Sequence, residues 1–231
     1  MSQQERLITA IPPEKVAFFT ALLESEGFAV TATAQPDGTT NLIAAREVND
    51  PPATADQPPA ADGDRKIAWG KKVSLEFRQK VLACCGRLGV DPDFLMASMA
   101  FETGNTFDPQ AHNASTGATG LIQFLPSTAE GLGTSVGALS NMTAVDQLDF
   151  VEAYFRPFTN RLATIEDTYM AILLPSAVGK PNDHVLFSQG SKAYSENRPL
   201  DLDNDGNVTK AEAAEFVKRR LAQGLTDQFL G

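Results

Sequence analysis

Cysteine is almost missing: Cys84 and Cys85 are the only two in 231 residues, and they stand side by side. Adjacent cysteines disfavour an ordinary bridge, which excludes a disulfide framework and leaves both as buried thiols on a helix. Histidine is as scarce. His112 and His184 lie far apart without metal-ligand spacing, so a zinc peptidase site is unsupported, and Ser or Cys triads find no convincing base. Positive charge is also short, with 19 Lys and Arg against 29 Asp and Glu for a net charge of -10. That balance opposes a phosphate-binding surface and argues against nucleic acid as a partner. No apolar run approaches the roughly 20 residues that cross a bilayer, so no membrane span is expected. The opening Met-Ser-Gln-Gln-Glu-Arg offers neither a basic n-region nor an apolar h-region. Synthesis in a cytoplasm without a signal peptide is the expectation.

What the chain does have is an ordinary globular composition, 42% hydrophobic and 21% charged. Within residues 1–48, Leu7-Ile8 reads as a strand and Pro12-Pro13-Glu14 opens a helix whose Val16, Phe19, Leu22 and Leu23 share a face, with Gly27 past its end. Phe28, Val30 and Ala32 alternate along a second strand, Pro36-Asp37-Gly38 supplies a turn, and Asn41–Ala44 returns. This β-α-β-β unit is too small to bury much area by itself and is expected to dock onto something else. Residues 49–64 hold two Pro-Pro pairs and no large apolar side chain, the composition of a semi-rigid linker.

Helical signals dominate residues 65–231. Phe77 to Leu88 carries an apolar stripe ended by Gly89; Asp91 caps and Pro92 opens the next helix. Further helices are predicted at Thr128–Leu132, Ala144–Phe155, Ile165–Leu173 and Ala211–Leu221, whereas Ser195–Pro199 reads as irregular. The predicted fold class is α+β: a mainly α-helical part preceded by the small β-α-β-β unit.

Glu102 closes the second of these helices. Reading back by helical spacing meets Met99, Ser98 and Leu95, so its carboxylate projects from a largely apolar side. Apolar surroundings raise a carboxyl pKa by desolvation and keep the acid protonated, the state in which it can donate to a leaving oxygen. By itself the position is more readily that of a helix-terminal Glu that simply reaches water.

The text after Glu102 decides between these. Phe101-Glu102-Thr103, Phe107-Asp108-Pro109 and Ser115-Thr116-Gly117-Ala118-Thr119-Gly120-Leu121-Ile122-Gln123-Phe124-Leu125-Pro126-Ser127-Thr128-Ala129 resemble the lytic transglycosylases of the lysozyme-like superfamily. The resemblance implies a mainly helical lysozyme-like fold and cleavage of the β-1,4 bond between N-acetylmuramic acid and N-acetylglucosamine in peptidoglycan. Glu102 falls on the family's single catalytic acid, and Ser115 and Gln123 on positions lining the sugar site. Gly117, Ala118 and Gly120 would let backbone approach substrate, although a plain tight turn accounts for the glycines equally well. Two departures stand out. Thr103 replaces the usual Ser, and Tyr169-Met170-Ala171-Ile172 replaces Tyr-Asn-Ala-Gly, so Tyr169 is carried over as a sugar contact or else as a core aromatic. The Met-Ala-Ile-Leu and Val-Gly-Lys-Pro text resembles phage-type members, implying a phage or prophage endolysin. As a second carboxylate, Asp108 is nearest but suits a turn cap; Glu152, Glu166 and Asp167 are further candidates.

Asp201-Leu202-Asp203-Asn204-Asp205-Gly206-Asn207-Val208-Thr209-Lys210-Ala211-Glu212 fits the EF-hand calcium-loop template at every informative position. Asp201, Asp203 and Asp205 supply hard oxygens, Asn207 a carbonyl, Thr209 a contact through water, and Glu212 both carboxylate oxygens. The alternative is a solvated acidic loop capping the helix near Lys210. Without a partner loop, Ca2+ is expected to be structural, stabilising the fold without joining the chemistry.

Peptidoglycan glycan strands are the expected partner, with virion or secretion machinery a further one through residues 1–48. Such an enzyme would reach the periplasm or cell wall by holin release, virion injection or contractile secretion. The competing reading is a non-catalytic virion or wall-binding structural protein on the same scaffold; chitin cleavage is a third.

Overall fold

The computed structural model describes residues 2–11, 16, 19–20, 23–24, 28–48 and 65–231. The linker at 49–64, and within the predicted N-terminal helix Pro12–Glu14, Leu22 and Gly27, lie outside the described residues. The architecture is α+β, with two small antiparallel sheets beside the helices.

Three strands form the first sheet: β1 (Ser2–Ile11), β2 (Ala29–Ala34) and β3 (Thr40–Val48), with β3 in the centre. Opposite pairs include Ile8 with Leu42 and Val30 with Ala44. The first strand is much longer than Leu7-Ile8, because register along β3 holds it to Val48. A register shift between Ile8 and Ile11 turns both side chains inward, and both are fully buried. Residues 16, 19, 20, 23 and 24 are helical, and Phe19 and Leu23 are buried. The unit does dock. Gly131 lies so close to it that a methyl group there would sit 2.8 Å from Phe19 and 3.1 Å from Ile8.

The helices begin where polar caps meet apolar stripes. α1 (Leu75–Leu88) starts with the Ser74 side chain accepting the Phe77 N–H and stops at Gly89, whose φ of 66° is left-handed. α2 (Pro92–Glu102) starts with Asp91 accepting the Asp93 N–H, and every side chain from Leu95 to Ala100 is buried. α3 (Pro126–Gly131) and α4 (Val136–Ser140) are short. Thr143 caps α5 (Ala144–Phe155), and Thr164 caps α6 (Ile165–Leu173). A substitution that removes such a cap costs about 1 kcal/mol.

The second sheet pairs β4 (Val185–Ser188) with β5 (Asn207–Thr209), on either side of α7 (Lys192–Asn197). The helical turns of α7 replace the irregular segment expected at Ser195–Pro199, because Ser191 caps the Tyr194 N–H at 3.0 Å. α8 (Lys210–Gly224) then crosses beside α2 and α6. The single tryptophan, Trp69, is buried against α8 and donates its indole N–H to the Arg220 carbonyl at 2.9 Å. Among the described residues no helix is long and apolar enough to cross a membrane.

Candidate functional site

Glu102 is the last residue of α2 and is half-buried. Its neighbour Phe101 stacks edge-on against Tyr169 of α6, with ring centres 5.5 Å apart, and also faces Phe216 of α8 at 6.2 Å. Two phenols share the carboxylate's surroundings. Burial, and after it the charge of Glu102, pushes the hydroxyls of Tyr154 and Tyr169 well above the usual tyrosine range. Tyr154 comes from α5 and donates to the Ala171 carbonyl at 2.8 Å, tying α5 to α6.

The chain turns sharply after the acid. Gly104, Asn105 and Phe107 have φ of 59°, 69° and 54°. A left-handed phenylalanine is a strained residue, at about 1–3 kcal/mol. Burial offsets it: the Phe107 ring lies 6.3 Å from Trp69 and 6.2 Å from Phe77. Thr103 locks the turn by donating to the Met99 carbonyl at 2.7 Å and accepting the Phe107 N–H at 3.0 Å. The Thr at this position is therefore a structural hydroxyl.

Residues 111–124 form a tight knot. Thr119 and Phe124 exchange two backbone hydrogen bonds, 3.0 and 2.9 Å long. Gln123, at φ 51°, donates its side-chain amide to the carbonyls of Ala111 and Gly120. Beneath the knot sits fully buried Gln147 of α5. It accepts the Leu121 N–H at 3.0 Å and donates to the carbonyls of Pro109 and Leu139 at 2.8 and 2.7 Å. Gly120 is a glycine for this reason: at φ 87°, an added Cβ would come 2.4 Å from the Gln147 carbonyl oxygen. Gly117, at φ 72°, packs against Pro126. The close approach at Gly120 is thus to Gln147, which supports the tight-turn account and not the one invoking substrate.

The charge of Glu102 reaches Tyr154 and Tyr169, and Tyr154 in turn lies beside Gln123. Gln123 and Tyr154 line one small cavity of about 20 Å³ with Thr128 and Ile172, room for about one water. Tyr169 is only 3% exposed, so it is a core aromatic before it is a sugar contact; its ring is held by Phe101. Ser115 is exposed and donates its hydroxyl to Asn113 at 2.6 Å. Tyr154 and Gln147 are not among the residues expected from the sequence. Their signal was a polar group on the apolar stripe of Ala144–Phe155, at the spacing of Leu148, Val151 and Phe155.

The candidates for a second carboxylate are engaged elsewhere. Asp108 accepts the Gln110 N–H in a turn. Glu152 makes two 2.6 Å bonds with Arg87. Glu166 pairs with Lys218 and Asp167 with Lys210.

In the acidic loop, Asp201, Asp203 and Asp205 each bring a carboxylate oxygen within 4.8 Å of the other two. Asp201 is buried; one oxygen accepts from the Tyr194 hydroxyl at 2.7 Å and the Gly206 N–H at 3.1 Å, while Oδ1 has no hydrogen-bond partner among the described residues. A buried bare carboxylate oxygen beside two more carboxylates fits a hard cation. The remaining positions are built differently from the expectation. Thr209 caps α8 through its side chain, and Glu212 spends one oxygen on the Leu202 N–H and the other on the N–H and hydroxyl of Thr209. Asn207 accepts the Ser188 hydroxyl through its side chain, which leaves its carbonyl as the ligand atom to consider. The loop's Val208 strand pairs with β4 instead of with a second loop.

No family model, curated protein or solved structure matches this chain.

Proposed function

We propose that this protein cleaves the β-1,4 bond between N-acetylmuramic acid and N-acetylglucosamine in peptidoglycan, on a lysozyme-like scaffold of the lytic transglycosylase type. Glu102 acts first as acid and then as base. The observation that carries the reading is a half-buried carboxyl whose charge reaches two buried phenols, Tyr154 and Tyr169, the first of which shares a small cavity with Gln123. The chemistry requires the carboxyl to be protonated when the glycan strand binds. That proton goes to the glycosidic oxygen as the bond to C1 breaks; the resulting carboxylate then takes a proton from the muramyl C6 hydroxyl, whose oxygen bonds to C1 and closes an anhydro ring. Water in place of that hydroxyl gives hydrolysis. One carboxyl suffices for both steps, in keeping with Asp108, Glu152, Glu166 and Asp167 being bound to other partners.

Asp201, Asp203 and Asp205, with the Asn207 carbonyl, would hold Ca2+, and Glu212 would join them by giving up a hydrogen bond to Leu202 or Thr209. The ion supplies positive charge that relieves carboxylate repulsion and fixes the entry to α8; Thr209 serves as the helix cap. In this reading the protein is a phage or prophage endolysin that reaches glycan strands by holin release, virion injection or contractile secretion, with residues 1–48 available for attachment.

One observation favours a second reading, a non-catalytic virion or wall-binding protein. Ile172 and buried Tyr154 leave little room beside Gln123. Incubation with purified sacculi separates the two. The catalytic reading expects soluble muropeptides from the native chain and none from Glu102→Gln of unchanged melting temperature, with anhydro ends identified by mass spectrometry. Binding without release, or equal release by the variant, would remove it.

A further inference from the structure

Lys210 opens α8 at the exit of the acidic loop, yet its side chain is only 2% exposed. Its ammonium donates to Asp167 Oδ1 at 2.5 Å and to the Lys180 carbonyl at 2.7 Å. Asp167 is fixed in turn, accepting the Gly179 N–H at 2.7 Å and the Thr164 hydroxyl at 3.2 Å. Two turns further along α8, Lys218 pairs with Glu166 at 2.6 Å. The first turn of α6 is therefore bolted to α8 at two neighbouring residues. Tyr169 follows Asp167 by two positions, and α8 also reaches the acid's own helix through Phe216 and Phe101.

A buried ion pair is a poor way to gain stability, since apolar residues of similar volume hold helices together at least as well. What a charge with two defined acceptors provides is one distance and one register. Here that register lies between the loop and the helix carrying Tyr169. We propose that Lys210 is a positioning residue, transmitting the state of the Asp201–Glu212 loop through Asp167 to Tyr169 and the Glu102 carboxyl. This rests on the function proposed above for Glu102 and on cation binding by the loop. A cation there then sets turnover as well as stability.

The chain has three tyrosines, Tyr154, Tyr169 and Tyr194, so selective ring labelling gives three NMR signals. Tyr194 bonds Asp201 and reports on the loop; Tyr169 reports on the acid's surroundings. Adding calcium alone to the native chain should move both. In Lys210→Met/Asp167→Asn, which removes both charges together, Tyr194 should still respond and Tyr169 should not. On glycan the double variant should lose about tenfold in kcat with KM within about threefold, the pattern of a misplaced group and not of lost binding. If the double variant fails to fold, Asp167→Asn alone carries the same expectation with a smaller effect. A Tyr169 signal that ignores calcium in the native chain, or follows it equally in the variant, overturns the proposal, as does an unchanged kcat. Sacculi left intact by the native chain would overturn the reading of Glu102 and leave Tyr169 to decide this one.

Discussion

Replacing Gly120 by alanine tests the construction of the site without touching its chemistry. The added methyl would lie 2.4 Å from the Gln147 carbonyl oxygen and 3.0 Å from its amide carbon and nitrogen. The end of a glutamine is ordinarily free to swing, but this one is fully buried and holds three hydrogen bonds, to Leu121, Pro109 and Leu139. Swinging aside leaves at least one buried group unpaired, at about 1–3 kcal/mol. Forcing alanine to φ 87° adds roughly 1–2 kcal/mol. The sum is about 2–5 kcal/mol, a fall in melting temperature of about 10 °C for a chain of this size. Gly104→Ala is the control, because it shares a positive φ of 59° but has nothing within 4 Å of the new methyl. It should cost only the backbone strain, about 1–2 kcal/mol, or roughly 2–8 °C. Urea unfolding of both variants, with the slope unchanged, measures the difference. Equal losses would refute the claim that Gln147 staples the knot.

Three further outcomes are expected. Gly131→Leu drives a side chain into Phe19 and Ile8, so hydrogen exchange should quicken in residues 2–11 and stay unchanged in residues 165–173; equal exchange there would mean the N-terminal unit does not rest on α3. Burial pushes the carboxyls of Glu166 and Asp167 up, but Lys218 and Lys210 outweigh it and hold both below their usual range. Groups with lowered folded pKa stabilise above their unfolded pKa and lose that contribution as pH falls through the folded one. The urea midpoint should therefore drop below about pH 4.5, more steeply in the native chain than in Lys210→Met/Asp167→Asn, and parallel curves would contradict the pairing. Calcium at a hundredfold excess over its Kd should add about 2.7 kcal/mol, roughly 5–10 °C, and chelator should reverse it. Identical melts would dismiss the cation.

Legibility in the sequence followed how local the cause was. α5 and α6 were bounded correctly because Thr143 and Thr164 stand next to the stripes they cap. β4 and α7 were not foreseen, since β4 exists only by pairing with Val208 and α7 depends on Ser191 and on Tyr194 reaching Asp201. Helical spacing puts Glu102 on an apolar side, but only the run from Ser115 to Ala129 singled it out. Its surroundings could not be read, because Tyr154 and Tyr169 arrive from helices about fifty and seventy residues away. The same holds for Gln147, a buried polar residue whose three partners lie in three different segments.

That division bears on which residues separate a working enzyme from a retained scaffold. Gly117, Gly120, Thr103 and Gln147 all satisfy the fold's own contacts, so a protein that only binds glycan has the same reason to keep them. Glu102 differs, because glutamine keeps its length and volume and removes only the carboxyl's ability to give and take a proton. Under the scaffold reading Glu102→Gln should therefore leave the melting temperature and every other measured property unchanged. Under the catalytic reading it should hold that temperature while abolishing muropeptide release. Stability alone behaves the same way in both, and only release from sacculi tells them apart.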